Sequence, residues 1–193
     1  TGPKGKLRAQ VTTPIKVTDT LRPVKMTEPK PGTFVYDLGQ NIAGWAQLYV
    51  SGPAGTTVKM IYGERLLDDG TVDQKEIKEH TYQDVFQTDT YILRGQGHEV
   101  WEPRFAYYGF QYVQVEGYPG RPTLESIRGR VMNTAFKQTG EFSCSNELLN
   151  KIQHGVLWSY RGNFHGYPTD CPHREKNGWT GDAHLAVDQA MFN

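Results

Sequence analysis

The pattern of hydrophobic and polar positions divides the chain into a β-rich part and a helical part. Over residues 33–133, apolar and polar positions alternate in short segments that Gly- or Pro-containing stretches separate. The segment 45–50 has a period of two, which predicts a strand with two distinct faces. These faces would carry Trp45, Gln47 and Tyr49 on one side and Ala46, Leu48 and Val50 on the other.

Several short strands are predicted in the β-rich part. They lie at residues 34–36, 45–50, 56–62, 85–93, 101–105, 110–115 and 127–132. Turns are predicted at 41–44, 52–55 and 68–71, and the second should reverse the chain so that 56–62 is the returning strand. Many short strands joined by such turns indicate an antiparallel β-sandwich or jelly-roll, so the predicted fold class is mainly β.

The hydrophobic period changes to that of a helix near residue 140. Apolar residues at helical spacing predict one helix over 145–162, with Ser145 as its N-cap, and a second over 181–192. Two helices cannot bury all of their apolar faces, so we expect both to expose apolar stripes. The pattern therefore predicts a helical domain that is truncated within these residues.

Residues 1–32 are predicted to be an extended leader or linker. They are rich in proline, and the alternation in residues 10–17 predicts at most a strand at a sheet edge or an extended connection. The predicted division is therefore a leader over 1–32, a β-sandwich domain over 33–133 and a helical part over 134–193.

Composition removes several classes of function. The 21 Lys and Arg residues balance 21 Asp and Glu residues, so there is no electrostatic case for nucleic acid or an anionic membrane. No apolar run approaches the roughly 18–20 residues that span a bilayer. The two cysteines, Cys144 and Cys171, are predicted to be reduced. No zinc pattern fits the spacing of His165, Cys171 and His173. Residues 68–73 lack the ligand spacing of a calcium loop, so no cofactor is predicted.

The segment between the two predicted helices concentrates chemically useful side chains. Residues 167–182 contain three carboxylates, two prolines, two glycines, an Arg, a His and a Trp. Connections between helices usually have about 2–8 residues, so a longer one favours a function, although a polar surface connection would also account for it. The exposed face of Trp179 would suit the apolar face of a sugar ring.

Two separated motifs carry a family resemblance. One is Asp170-Cys171-Pro172-x-Arg174-Glu175-Lys176-x-Gly178-Trp179-x-Gly181-Asp182-Ala183. The other combines Phe34-Val35-Tyr36-Asp37-Leu38-Gly39-Gln40-Asn41-Ile42-Ala43-Gly44-Trp45 with residues 52–56, 63–64 and 101–112. In this order over residues 33–193, they resemble bacterial α-L-rhamnosidases, glycoside hydrolase family 78. The resemblance implies a β-sandwich followed by the first helices of a truncated (α/α)6 barrel.

The resemblance also implies an activity and a role for each motif residue. The implied reaction removes terminal α-L-rhamnose from glycosides or polysaccharides with inversion at the anomeric carbon. By position, Glu175 matches the general acid, whereas Asp170 and Asp182 match carboxylates that bind rhamnose hydroxyls. Arg174 and Trp179 match residues that line the same pocket. The implied partners are a rhamnose-containing oligosaccharide, polysaccharide or glycoside and the remainder of the same polypeptide, with neither nucleic acid nor membrane.

An inverting mechanism makes further demands on this segment. It needs a protonated acid at the leaving oxygen and a carboxylate that activates water on the opposite face. In the family that base is a Glu further along the barrel, so we expect the chain alone to be inactive. Like charge from Asp170 and Asp182 would keep Glu175 protonated, provided that the side chains converge. Arg174 would oppose this, so we expect its side chain to point at another carboxylate.

Three other functions stay open from the sequence. They are a six-hairpin glycosidase for a different sugar, a carbohydrate-binding sandwich module and a scaffold. The carboxylate cluster favours an enzyme over a binding module, because a lectin does not need an acid in a loop. Glu64 and Arg65 would either contact the helical part or pair within the sheet. The compartment stays open among the cytoplasm, the periplasm and the exterior.

Overall fold

The computed structural model describes residues 2, 4–79, 81 and 85–193, so Thr1 and Pro3 of the predicted leader lie outside it. The strands are β1 (Ile15–Leu21), β2 (Lys25–Lys30), β3 (Thr33–Ser51), β4 (Thr57–Gly63), β5 (Arg65–Leu66), β6 (Val72–Asp73), β7 (Thr88–Ile92), β8 (His98–Trp101), β9 (Tyr108–Glu116) and β10 (Ile127–Thr134). The helices are α1 (Lys75–Lys78), α2 (Glu147–Gly162) and α3 (Thr180–Phe192), with a 3-10 turn at Leu124–Ser126.

Strand β3 organises the main sheet, because each of its halves has a neighbour on both sides. Its residues 33–37 lie between β2 and β9, whereas Leu48 lies between Ile127 of β10 and Trp101 of β8. The remaining order is β1-β10-β3-β9-β4-β7, and the pairings are antiparallel. The sheet curls so that its apolar sides meet in one core, which confirms the predicted mainly-β sandwich.

Alternation along the strands supplies this core. The two faces predicted for residues 45–50 are confirmed: the face that carries Ala46, Leu48 and Val50 is buried, and the opposite face is only partly buried. In β4, Val58 and Met60 are fully buried on either side of an exposed lysine. Burial of this apolar surface is the main force that stabilises the sandwich. The largest buried side chains include Tyr36, Leu48, Met60, Tyr62, Phe110 and Ile127.

Two segments predicted as turns have a different role. Residues 41–44 lie inside β3, so the prediction of a turn there is wrong. Gly44 is needed for a close approach of strands, because a Cβ there would lie 1.8 Å from the carbonyl oxygen of Arg130 in β10. Residues 52–55 do redirect the chain, but β4 pairs with β7 and β9 and not with β3. The returning strand therefore joins a different part of the curled sheet.

Other local predictions agree with the structure or are displaced by a few residues. The turn at 68–71 is confirmed, since Gly70 N donates to Leu67 O at 2.9 Å between β5 and β6. The strand predicted at 101–105 instead covers His98–Trp101. Pro103 lacks the backbone N–H that a strand needs for its ladder, which accounts for the shift.

Two strands lie within the segment predicted as a leader. β1 is an edge strand paired with β10, in keeping with the edge position predicted for residues 10–17, although it begins only at Ile15. The sequence pattern does not predict β2, which contains Pro29 and pairs with β3. The register of that pairing shifts between Thr27 and Lys30, next to the proline.

The two long helices confirm the predicted helical spans within two residues. The N-cap of α2 is Asn146 and not Ser145: its side chain accepts a hydrogen bond from Leu148 N at 2.9 Å. Both helices expose apolar residues, including Leu148 at 64% and Leu185 at 84%, so the predicted exposed stripes are confirmed. In the part of the chain that the structure describes, no helix is long and apolar enough to cross a membrane.

Candidate functional site

The segment between α2 and α3, residues 163–179 (the interhelical loop), is folded by its own hydrogen bonds. Thr169 N donates to Asn163 O at 2.7 Å, and Asp170 N donates to Asn177 O at 3.0 Å. Short antiparallel bridges join Phe164 to Pro168 and Thr169 to Gly178. Backbone groups without a helix or sheet partner are thus satisfied locally, so the loop holds its side chains in a defined arrangement.

Asp170 lies at the centre of this loop. Its Oδ1 accepts hydrogen bonds from Cys171 N at 2.7 Å and Asn177 N at 3.1 Å, and its Oδ2 accepts one from Trp179 Nε1 at 3.1 Å. Burial raises the pKa of Asp170, but the hydrogen bonds that its carboxyl group accepts outweigh burial and lower the pKa. Asp170 is therefore held as a carboxylate.

Glu175 lies at the exposed surface of the loop, beside Arg174. Arg174 Nη2 donates to Glu175 Oε1 at 2.9 Å, so the expectation that Arg174 points at another carboxylate is wrong. Residues i and i+1 in an irregular segment can turn toward each other, whereas the prediction considered only the charge that Glu175 would prefer. The side chains are 31% and 39% exposed, and an ion pair this exposed is worth about 0–1 kcal/mol.

Trp179 and Asp182 lie at the start of α3. Trp179 is 51% exposed and is held at its ring nitrogen by Asp170, so much of the ring surface is available for contact. Asp182 is exposed in the first turn of α3, where a negative charge is favoured by the helix dipole. The structure thus brings together Asp170, Glu175, Arg174 and Trp179. The convergence of the Asp170 and Asp182 side chains on Glu175 stays a prediction.

The loop packs on the sandwich at its first residues. Gly166 N donates to Thr134 Oγ1 at 2.7 Å, and the ring of His165 stacks on Tyr107 with centroids 4.4 Å apart. His165 Nε2 lies 3.0 Å from Met132 O, and burial lowers the pKa of this histidine. His165 is therefore a buried packing residue. Among the described residues, no three His, Cys, Asp or Glu side chains form a group that could hold a metal ion.

A cavity of about 370 Å³ separates part of the loop from the sandwich and α2. It is lined by Asn41 and Glu64 of the sandwich, by Trp158 of α2 and by loop residues 170–173. Asn41 Nδ2 donates to Glu64 Oε1 at 2.8 Å. Sequence reasoning left Glu64 undecided and did not single out Trp158, because the distance between these residues along the chain hides their proximity.

Two family models match this chain. Residues 27–133 match the bacterial α-L-rhamnosidase concanavalin-like domain, and residues 137–193 match the bacterial α-L-rhamnosidase 6 hairpin glycosidase domain. The two matches meet near the point at which the hydrophobic period changes from strand to helix.

Individual proteins give the same result. An α-L-rhamnosidase of Streptomyces avermitilis is 46% identical over 185 residues, which are 95% of this chain and 18% of that protein. The structure of α-L-rhamnosidase from Dictyoglumus thermophilum superimposes with a TM-score of 0.91 at 46% identity, over 98% of this chain and 21% of that one. The crystal structure of Streptomyces avermitilis α-L-rhamnosidase complexed with L-rhamnose gives 0.88 at 46% identity, over 94% of this chain and 17% of that one. The chain thus spans about a fifth of the length of these relatives.

Proposed function

The chain belongs to the bacterial α-L-rhamnosidase family, and we propose that the polypeptide carrying it hydrolyses terminal α-L-rhamnose from glycosides or polysaccharides with inversion. Glu175 is the general acid in this proposal. Asp170 and Asp182 bind rhamnose hydroxyls, and Arg174 and Trp179 line the same pocket. Residues 33–133 are the sandwich domain, and residues 134–193 begin the helical catalytic domain.

The observation that carries the proposal is the arrangement of side chains in the interhelical loop, where Trp179 Nε1 donates to Asp170 Oδ2 at 3.1 Å and Arg174 Nη2 donates to Glu175 Oε1 at 2.9 Å. Although burial raises the pKa of Asp170, the hydrogen bonds that its carboxyl group accepts lower the pKa below its ordinary value, so Asp170 is ionised. One firmly held carboxylate and one exposed carboxyl group in the same loop suit the two tasks that the proposal assigns, which are sugar binding by Asp170 and proton donation by Glu175.

Arg174 forms an ion pair with Glu175. The pair is exposed and therefore weak, because water competes for both side chains. A bound sugar would exclude that water and offer its hydroxyl oxygens to the guanidinium. In this proposal Arg174 then leaves Glu175 and binds the substrate.

The remaining side chains suit recognition of a sugar. Asp170 has its Oδ1 occupied by two backbone N–H groups, but a carboxylate has about four acceptor positions, so Oδ2 can accept from a sugar hydroxyl as well as from Trp179. The exposed part of the Trp179 ring offers an apolar surface for the face of the sugar. Asp182, in the first turn of α3, adds an exposed carboxylate that can accept hydrogen bonds.

Catalysis follows from this arrangement. Glu175 transfers its proton to the glycosidic oxygen while the bond from that oxygen to the anomeric carbon breaks. A water molecule attacks the anomeric carbon from the opposite face and gives its proton to a second carboxylate. In inverting enzymes the two carboxyl groups lie about 6.5–9.5 Å apart, with the sugar and the water between them.

We propose that this second carboxylate comes from the remainder of the polypeptide. The exposed apolar residues of α2 and α3 are the surface on which further helices of the catalytic domain would pack. Acid and base act as a unit, so we expect the 193-residue chain by itself to show no rhamnosidase turnover.

The test uses the polypeptide that carries this chain at its natural length, with two substrates that differ in leaving group. Glu175→Gln keeps the size of the side chain but cannot donate a proton. General acid catalysis is worth about 10²–10⁴-fold, so hydrolysis of an alkyl α-L-rhamnoside should fall by roughly that factor. A dinitrophenyl α-L-rhamnoside has an acidic leaving group, needs little protonation and should lose much less.

Matched variants separate acid catalysis from binding and folding. Asp170→Asn and Asp182→Asn should slow both substrates to a similar extent, because they act on the sugar and not on the leaving group. Glu147→Gln, in the exposed first turn of α2, should leave both rates unchanged. Equal losses on both substrates in a stable Glu175→Gln protein would remove Glu175 from the role of general acid.

A further inference from the structure

Lys176, the residue after Glu175, connects the interhelical loop to the sandwich. Its Nζ donates to Tyr107 O at 2.6 Å and lies 4.3 Å from the centroid of the Tyr107 ring and 5.8 Å from that of Tyr108. The side chain is half-buried, and burial lowers the pKa of Lys176. A lysine with its charge taken partly out of water is costly, and here the carbonyl and the aromatic rings compensate for that cost.

The backbone at Lys176 is held in an unusual conformation. Its φ is +57°, in the left-handed region that residues other than glycine seldom adopt. Such a conformation costs on the order of 1 kcal/mol or more, so it persists only where the surroundings enforce it. The interaction with Tyr107 supplies that enforcement, and it acts on the peptide unit directly after Glu175.

The surface that receives Lys176 is rigid. Tyr108 opens strand β9, and its hydroxyl donates to Asp89 of β7 at 2.6 Å. Beside it, Gly109 lets the loop approach the strand closely, since a Cβ there would lie 2.8 Å from Pro172 Cγ and 3.0 Å from His173 Cβ. Tyr107, which precedes β9, and the first two residues of β9, Tyr108 and Gly109, therefore contact the loop on both sides of Glu175 in sequence.

The Glu175 side chain itself is held less firmly than that of Lys176. Its ion pair with Arg174 is exposed and weak, and its backbone N–H is directed at Cys171 Sγ at 3.3 Å, a weak acceptor. The position of the carboxyl group therefore depends on how the loop backbone is fixed. Proton transfer requires the acid within about 2.6–3.2 Å of the leaving oxygen, so a small displacement has a large effect.

We propose that Lys176 is a positioning residue, through which strand β9 of the sandwich fixes the place of the Glu175 carboxyl group. This inference rests on the proposed role of Glu175 as the general acid. It assigns the sandwich a part in catalysis, because the sandwich sets the geometry of proton donation.

The first test compares Lys176→Met, Lys176→Arg and the exposed control Lys59→Met of β4 in the polypeptide at its natural length. Methionine keeps the apolar stem but removes the ammonium group. A misplacement of about 1 Å can cost ~10²-fold, so kcat on an alkyl α-L-rhamnoside should fall by roughly that factor while KM changes little. The loss on the dinitrophenyl substrate should be much smaller. Arginine can still donate to Tyr107 O and lie over the ring, so it should restore most of the activity.

A second variant reaches the same loop without touching Lys176. Gly109→Ala introduces a Cβ against Pro172 and His173, so it should displace the loop and reproduce the leaving-group pattern of Lys176→Met. Equal losses on both substrates in Lys176→Met, or an arginine variant no better than methionine, would overturn the inference. If Glu175→Gln itself shows no leaving-group dependence, the proposed function fails and not merely the positioning role.

A measurement independent of turnover completes the test. The Asn177 N–H donates to Asp170 Oδ1, and the Asp170 N–H donates to Asn177 O. Amide hydrogen exchange at these two positions should accelerate in Lys176→Met and stay slow in Lys59→Met. Unchanged exchange in Lys176→Met would refute the positioning role, whatever the activity of the protein.

Discussion

The buried cluster of Tyr62, Tyr108 and Asp89 permits a quantitative prediction about the sandwich. Tyr62 Oη donates to Asp89 Oδ2 at 2.7 Å, and Tyr108 Oη donates to Asp89 Oδ1 at 2.6 Å. The two tyrosine rings stack with centroids 4.5 Å apart. Replacing either tyrosine with phenylalanine removes one donor to the carboxylate and keeps the ring contacts. Tyr62→Phe also removes the long hydrogen bond that Tyr62 Oη accepts from Ala46 N at 3.4 Å.

The expected losses differ because the two sites differ in burial. A hydrogen bond to a charged group contributes about 1.5–3 kcal/mol to the free energy of unfolding. Tyr62 is fully buried, so no water can replace its hydroxyl and Tyr62→Phe should cost near the upper end, about 3 kcal/mol. Tyr108 is only partly buried, and Tyr108→Phe should cost about 1.5 kcal/mol. The double variant should deviate from additivity, because both hydroxyls serve one carboxylate.

The dependence of these losses on pH provides a second constraint. Burial raises the pKa of Asp89 above 3.8, and the two hydroxyl groups partly reverse that shift. Because its pKa is raised in the folded state, protonated Asp89 contributes to the free energy of unfolding. That contribution is complete below pH 3.8 and is lost as the pH rises through the pKa that Asp89 has in the folded protein. The hydroxyls stabilise the charged form, so the cost of removing them should be largest at neutral pH and should shrink toward pH 3.8.

Urea unfolding followed by tryptophan fluorescence, at pH values from neutral to weakly acidic, measures these costs. Tyr49→Phe is the matched control, since its hydroxyl donates to the neutral amide of Gln47 at 2.7 Å on a partly buried face. Tyr49→Phe should lower the free energy of unfolding by about 1 kcal/mol or less, and this loss should not depend on pH. A cost for Tyr62→Phe below that of Tyr49→Phe, or one that grows as the pH falls, would refute this account of the cluster.

Two further predictions concern other parts of the sandwich. The hydroxyl of Tyr91, helped by three backbone N–H groups, lowers the pKa of Glu99 from 4.5 to about 2, so the stability it contributes is present above pH 4.5 and is lost as the pH falls from there. Glu99→Gln should flatten the acid side of a plot of Tm against pH, and an unchanged acid limb would contradict this. Leu48 is fully buried in β3, so Leu48→Ala should cost about 2–5 kcal/mol in urea unfolding. The exposed Lys59→Ala should stay within about 0.5 kcal/mol, and similar losses in both would show that the assignment of faces is wrong.

The sequence alone determined those features that depend on local periodicity. Alternation over residues 45–50 identified the two faces of this part of β3, because successive side chains in a strand point to opposite sides. The apolar spacing in α2 and α3 identified both helices and their exposed stripes. The signature in residues 170–183 identified the segment that the structure folds into one compact loop.

Tertiary structure alone decided which distant segments meet. The shift in register of β3 against β9 between Asp37 and Ile42 and the pairing of β4 with β9 depend on contacts between residues far apart in sequence, which no local pattern contains. The prediction for Arg174 failed for a different reason: it considered the charge near Glu175 but not the direction of the side chains. Lys176 appeared only as one more charge in the signature. Its contact with Tyr107 joins residues 69 apart along the chain, and only the folded sandwich brings that carbonyl and ring within its reach.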